Sequence, residues 1–382
     1  MGVAASGAYW VTALRALDSG SEALLAHIGP GGVGGVRPLG VVHGDAAPPR
    51  LAVSEKGVFV ALQDADASGF SSRVARVPDA LDGAIAWAEG PHQSGDRNRS
   101  FDFAASGESQ LLVWDEWNDA GNHGTVVGAV VGLPNSVGVA AKTRELSLVD
   151  SAGLDAEAPR IVRRPGGYWL AWLVNAASSP SGAEARPYDP EGGEANQDFR
   201  ELRSSRAYGA RWIETQPLDE SGRSLGEPVV ATPREERVVG FDIVSNPEGR
   251  VWIAWRQGAA SPAASGGKLA VLELREDGTR VSQPVATGAL GAGEPTWLGS
   301  EHSRRRRLSF ADDSDEIRFL DLSAIPSVAS ETAPLSGDWA GSAVLAALGD
   351  TLLLAAPRGR AVDLVVADCG EPKAPSVGSA PP

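Results

Sequence analysis

Short runs in which nearly every position is apolar recur along the chain, most of them after a turn that contains Gly. The clear copies are residues 8–13 (AYWVTA), 57–62 (GVFVAL), 110–114 (QLLVW), 167–172 (GYWLAW) and 250–255 (RVWIAW). Weaker copies occur at 306–310 (RRLSF) and 351–355 (TLLLA). A brief, continuous apolar run bounded by turn residues predicts a strand covered on both faces. The copies end at intervals of about 45–58 residues, with one longer gap of about 83, close to the roughly 40–50 residues of a propeller blade.

The stretches between runs share a layout. Around the fourth copy, residues 159–162 read as a first strand and 167–173 as a second. Residues 210–215 alternate polar and apolar, as a half-exposed third strand does. The sequence DESG at 219–222 is a turn, and 225–231 a fourth strand. The fifth copy repeats this with 268–274, the turn EDG at 276–278, and 281–286. The expectation is an all-β fold, a β-propeller of seven blades with about four antiparallel strands each. Residues 1–370 would form one domain, with an insertion at 176–207 in the fourth blade. Residues 371–382, rich in Pro, Ser and Gly, would be a disordered tail. No clear fourth strand follows the last copy, so a terminal blade is expected to be incomplete. Aromatic residues of the runs (Trp10, Trp114, Trp169, Trp172, Trp252, Trp255) are expected to pack between blades.

The texture of copies such as GGYWLAWLV and GRVWIAWRQ resembles the secreted propeller-repeat proteins of Ala/Gly-rich, large-genome bacteria. That resemblance is one of scaffold, and it implies an extracytoplasmic location: secreted, periplasmic or cell-surface. The opening MGVAA shows no export signal, so either a trimmed signal or a chain that is a fragment is expected.

Charge narrows the partners. The formal net charge is −15. Phosphate recognition needs clustered Lys and Arg, so a nucleic-acid partner is not expected, nor an anionic lipid surface. No apolar run approaches the roughly 20 residues of a membrane span. The one cysteine, Cys369, leaves no intrachain disulfide and no Cys-based zinc site.

Candidate chemistry lies in the loops after the second strands, which should share one face. They hold Asp64 and Asp66, then Asp115, Glu116, Trp117, Asp119 and His123, and later Asp312 and Asp313. Tyr188 and Asp189 form the core of the insertion. Clustered carboxylates focus a field that attracts cations or a basic partner. No cofactor is required by any motif. Calcium is the candidate metal, at Asp64, Asp66 and Ser68, whose D-x-D-x-S-G spacing resembles a calcium loop but has Ala75 where a bidentate Glu would close it. No G-x-S-x-G elbow, P-loop or complete sialidase Asp box is present. The expected function is a non-catalytic scaffold presenting one face to a protein or glycan partner. The alternatives are a sialidase-like propeller glycoside hydrolase and a calcium-stabilised structural module.

Overall fold

The computed structural model describes residues 2–5, 8–29, 32–43, 47–66, 69–78, 82–94, 100–106, 109–118, 123–133, 143–150, 154–176, 210–258, 267–291, 295–298, 307–311, 317–322, 330–331, 344–348, 351–358 and 361–368. Blade one contains β1 (Gly2–Ala5), β2 (Tyr9–Leu17), β3 (Gly20–Gly29) and β4 (Gly32–Val42). Blade two contains β5 (Arg50–Ser54), β6 (Gly57–Asp66), β7 (Gly69–Arg76) and β8 (Ala88–Ser94). Blade three contains β9 (Phe101–Ser106), β10 (Ser109–Asn118), β11 (His123–Gly132) and β12 (Thr143–Val149). Blade four contains β13 (Leu154–Arg164), β14 (Gly167–Ala176), β15 (Arg211–Asp219) and β16 (Val229–Val230). Blade five contains β17 (Val238–Ser245), β18 (Val251–Gln257), β19 (Gly267–Leu274) and β20 (Val285–Gly291). Blade six contains β21 (Thr296–Leu298), β22 (Arg307–Ala311), β23 (Ile317–Asp321) and β24 (Ser330–Glu331). A last sheet contains β25 (Val344–Leu348), β26 (Thr351–Arg358) and β27 (Ala361–Asp368).

Each sheet is an antiparallel meander in chain order. The innermost strands touch in sequence, β1 to β5, β9, β13, β17, β21 and β25, and β25 returns to β1. This ring encloses a central channel. The expectation of seven blades of about four strands is corrected: six blades have four strands, and the last sheet has three among the described residues. Beyond Asp368 the chain carries Pro372, Pro375, Pro381 and Pro382, and Pro has no N–H to give to a ladder.

The second strands are apolar throughout because both of their faces are buried. In β10, Leu111 and Val113 face blade four, while Leu112 and Trp114 face blade two. In β14, Tyr168, Leu170 and Trp172 face blade three, and Trp169 and Ala171 face blade five. Trp169, Trp172, Trp252 and Trp255 are among the largest fully buried side chains. Several strands run longer than the sequence suggests. β10 extends through Asn118, so Asp115, Glu116 and Trp117 are strand residues and not loop residues. The fourth strand expected at 225–231 shrinks to β16, and that expected at 281–286 moves to β20.

One close approach fixes the tight turn into β14. Gly167 has φ +152°, and a Cβ there would lie 2.0 Å from the carbonyl oxygen of Leu218 on β15. Its neighbour Gly166 has φ +69° with nothing within 4 Å of such a Cβ. Gly167→Ala is therefore expected to cost about 2–3 kcal/mol through clash and strain, and Gly166→Ala about 1 kcal/mol through backbone strain alone. Urea unfolding of the two variants checks the difference.

Candidate functional site

An innermost strand has a partner on its outer side only, so N–H groups on its inner edge need other acceptors. Four charged side chains occupy one register position along this edge. Arg50 lies opposite Ala61, Asp102 opposite Val113, Arg160 opposite Ala171, and Asp242 opposite Ala254. Blades two to five thus present Arg, Asp, Arg and Asp in turn. The same position holds Gly2 in blade one, Thr296 in blade six and Leu345 in the last sheet. The result is a charged crescent along one side of the channel.

Each crescent residue reaches toward the next blade. Arg50 Nε donates to the Phe101 carbonyl at 3.1 Å and lies 4.0 Å from Asp102 Oδ1. Asp102 Oδ2 accepts from Ile161 N–H at 2.8 Å. The Arg160 guanidinium sits 5.8 Å from the Phe241 ring centre. Asp242 Oδ2 accepts from Trp297 N–H at 2.9 Å, and its Oδ1 accepts from Ile243 N–H at 2.9 Å. Burial pushes the Asp242 carboxyl up to about 6, with the Trp297 N–H and the Arg160 charge opposing and Asp102 adding repulsion. The side chains of Asp102 and Arg50 are 16% and 34% exposed, so water reaches the crescent. Its level is that of the middle of the second strands: Arg50 opens β5, but Arg160 is the seventh of eleven residues in β13 and Asp242 the fifth of eight in β17.

The second strands end on the face where the chain enters each blade, beyond the level of the crescent. Asp115 belongs here, but it turns inward. Its Oδ1 accepts from Ser100 N–H at 2.7 Å and its Oδ2 from Ala158 N–H at 3.1 Å. Burial raises its carboxyl to about 6 against those two bonds, and the neighbouring Glu157 charge raises it further. Ala158 has φ +50° and sits in a register shift of β13 between Glu157 and Arg160. Asp115 therefore stabilises an irregular backbone that sets the course of β13 just before Arg160. Glu157 gathers Asn175 Nδ2 at 2.6 Å and the Arg211 guanidinium.

Of the other residues expected in the site, Asp64 is taken up locally, accepting from His43 N–H at 2.6 Å and lying 3.2 Å from His43 Nδ1. The Glu116 carbonyl accepts from Thr125 Oγ1 at 3.1 Å. Trp117 faces Gly124 across the β10–β11 hairpin, and His123 Nε2 lies 2.6 Å from Asp150 Oδ1. Asp66 ends β6. Ser68, Asp119, Tyr188, Asp189, Asp312 and Asp313 lie outside the described residues. Among the described residues no group of three or more His, Cys, Asp or Glu side chains is arranged to hold a metal ion. No helix among them is long and apolar enough to cross a membrane.

Sequence reasoning missed the crescent, although a signal was present. Asp102 and Asp242 both sit in a Phe-Asp-apolar triplet (FDF at 101–103, FDI at 241–243) just before a buried run. A carboxylate at matched places in an otherwise apolar first strand marks a buried acceptor.

The sequence matches no known protein family and no curated protein. Its fold is that of a β-propeller, and solved structures share it. Hydrazine synthase from Kuenenia stuttgartiensis is 12% identical with a TM-score of 0.56, covering 95% of this chain and 94% of its own. A polysaccharide lyase is 9% identical with a TM-score of 0.57, covering 96% and 89%. An α-L-arabinofuranosidase from Fusarium graminearum is 11% identical with a TM-score of 0.50, covering 85% and 94%. At these identities the likeness is one of fold.

Proposed function

We propose that the protein is a glycan-directed propeller that takes a sugar along its central channel. The observation that carries this reading is the crescent of Arg50, Asp102, Arg160 and Asp242. Carboxylates accept from sugar hydroxyls, and planar guanidinium groups donate to hydroxyl and ring oxygens. Two of each give a balanced set, suited to a neutral, polyhydroxylated ligand rather than to an ion. The reading is supported at the level of scaffold by the polysaccharide lyase and the arabinofuranosidase. An extracytoplasmic location goes with it.

Cleavage is a second reading, favoured by one observation. Asp242 keeps its proton up to about pH 6, and Asp102 stands on the same crescent. Glycoside hydrolysis uses one carboxylic acid to protonate the leaving oxygen and a second carboxylate on the other side of the bond. Calorimetric titration with oligosaccharides of arabinan, xylan and glucan, together with an assay of reducing-end release, tests both readings. Saturable binding is expected, weakened about tenfold or more by Arg160→Gln, because a lost charge-assisted hydrogen bond costs about 1.5–3 kcal/mol and 1.4 kcal/mol is tenfold. Neither heat nor release with any of these glycans would overturn the proposal. Heat without release would leave binding alone.

A further inference from the structure

In six sheets the third strand is paired on both sides, but β27, the third strand of the last sheet, has a partner only in β26 among the described residues. An unpaired edge of eight residues presents a row of backbone N–H and C=O groups that can take another strand.

A fourth strand also covers its neighbour. β8, the fourth strand of blade two, touches β11 and β12 of blade three, and the Thr143 hydroxyl of β12 donates to the Glu89 carbonyl of β8 at 2.7 Å. The corresponding surface of blade one is the face of β3 and β4 turned toward the last sheet. Leu25 and Leu39 pack on the other face, against blade two, and Arg37 lies opposite Leu25. Val36, next to Arg37 and opposite Ala26, therefore points away from blade two, and so do Val33, opposite Ile28, and Val41, opposite Glu22. These three valines are 59%, 55% and 40% exposed. In blade three the matching positions of β12, paired with Val131 and Ala129 on the blade-two side of β11, are Thr143 and Glu145. Blade one shows valines where blade three shows polar groups.

Charge selects the occupant. The chain carries −15, yet residues 1–43 hold two arginines against two acids, and residues 344–368 hold two arginines against three acids. A sector this close to neutral offers little to attract a basic partner and lets a second acidic molecule approach with little repulsion. We propose that β27 pairs antiparallel with β27 of a second copy across a two-fold axis. Each β27 then supplies the missing fourth strand of the other copy's last sheet and comes against the valines of that copy's β4. Pairing one edge with itself consumes both edges, so assembly stops at the dimer.

Sedimentation velocity of the full chain, from low to high micromolar concentration, tests this, alongside Val36→Glu and Val33→Glu, each first shown to unfold at the wild-type urea midpoint. A monomer–dimer equilibrium is expected. Each substitution enters a two-fold interface twice and buries a charge, so the dissociation constant is expected to rise about tenfold or more. Hydrogen exchange at alternate β27 amides is expected to slow as protein concentration rises, because an antiparallel ladder takes every second N–H of an edge. A monomer at every concentration would overturn the inference, and β27 amides already protected in that monomer would assign the edge to another segment of the same chain. A dimer that both Glu variants retain, or whose formation leaves β27 exchange unchanged, would place the contact elsewhere and overturn it as well.

Discussion

Replacing Trp169 by alanine is expected to destabilise the protein by about 3–5 kcal/mol, the range for deleting a large buried aromatic side chain. Trp169 is fully buried in β14 and packs into the core shared by blades four and five, against Phe241, Ile253 and Trp255. Its indole N–H donates to the Gly249 carbonyl at 2.9 Å, in the turn between β17 and β18. The Arg164 guanidinium covers the ring at 5.5 Å. One side chain thus joins two blades by packing, by a hydrogen bond and by a cation–π contact. Trp169→Phe keeps most of the apolar area but leaves the Gly249 carbonyl without this donor, so a loss of about 1–2 kcal/mol is expected. Urea unfolding followed by tryptophan fluorescence measures both. Equal losses for the two variants would show that the hydrogen bond, and not the packing, dominates.

Mild acid is expected to stabilise the fold. Asp115 and Asp242 are each pushed up to about 6 by burial, against roughly 3.9 in an unfolded chain. A carboxyl raised in the folded state binds its proton more tightly there. Its contribution to stability is complete below the unfolded value and is lost as pH rises through about 6. Stability, and with it the melting temperature, should therefore climb as pH falls from 7.5 to 5, by about 1.4 kcal/mol for each group, since about one pKa unit of the shift is gained in that range. Further acid reverses the trend. Asp219 is held low by Ser221 and Arg223 against its partial burial, and Glu55 by its own backbone N–H and by Arg163. Groups held low lose their stabilising effect as they protonate, below the ordinary carboxylate range. A maximum near pH 5 is the expected profile. Asp115→Asn with Asp242→Asn, which imitate the protonated form, should flatten the slope between pH 7.5 and 5. A slope unchanged in that double variant would assign the pH dependence elsewhere.

The two carboxyls also show where sequence reading stopped. Asp115 follows a buried run and precedes Glu116 and Trp117, so by pattern it reads as the start of an acidic loop. Whether it faces water depends on how far β10 continues and on which backbone N–H groups the next blade brings to it. Those N–H groups belong to Ser100 and Ala158, 15 and 43 residues away in the chain. Asp102 and Asp242 are single acids in apolar strands, and the local pattern gives no reason to pair them with Arg50 and Arg160.

The all-β class, the repeating unit and the inter-blade packing of the tryptophans were legible in the sequence by itself. Strand patterning is local: a run such as YWLAWLV at 168–174 is apolar at every position only because both faces of its strand are covered. The spacing of the runs carried the propeller, since each unit buries its faces against its neighbours. Tertiary structure alone decided that Asp115 turns inward and that the crescent residues share one register level. Both depend on the order in which separate blades meet around the ring. Contacts between groups 50 to 60 residues apart, such as Arg50 with Phe101 and Asp102 with Ile161, leave no local periodicity to read.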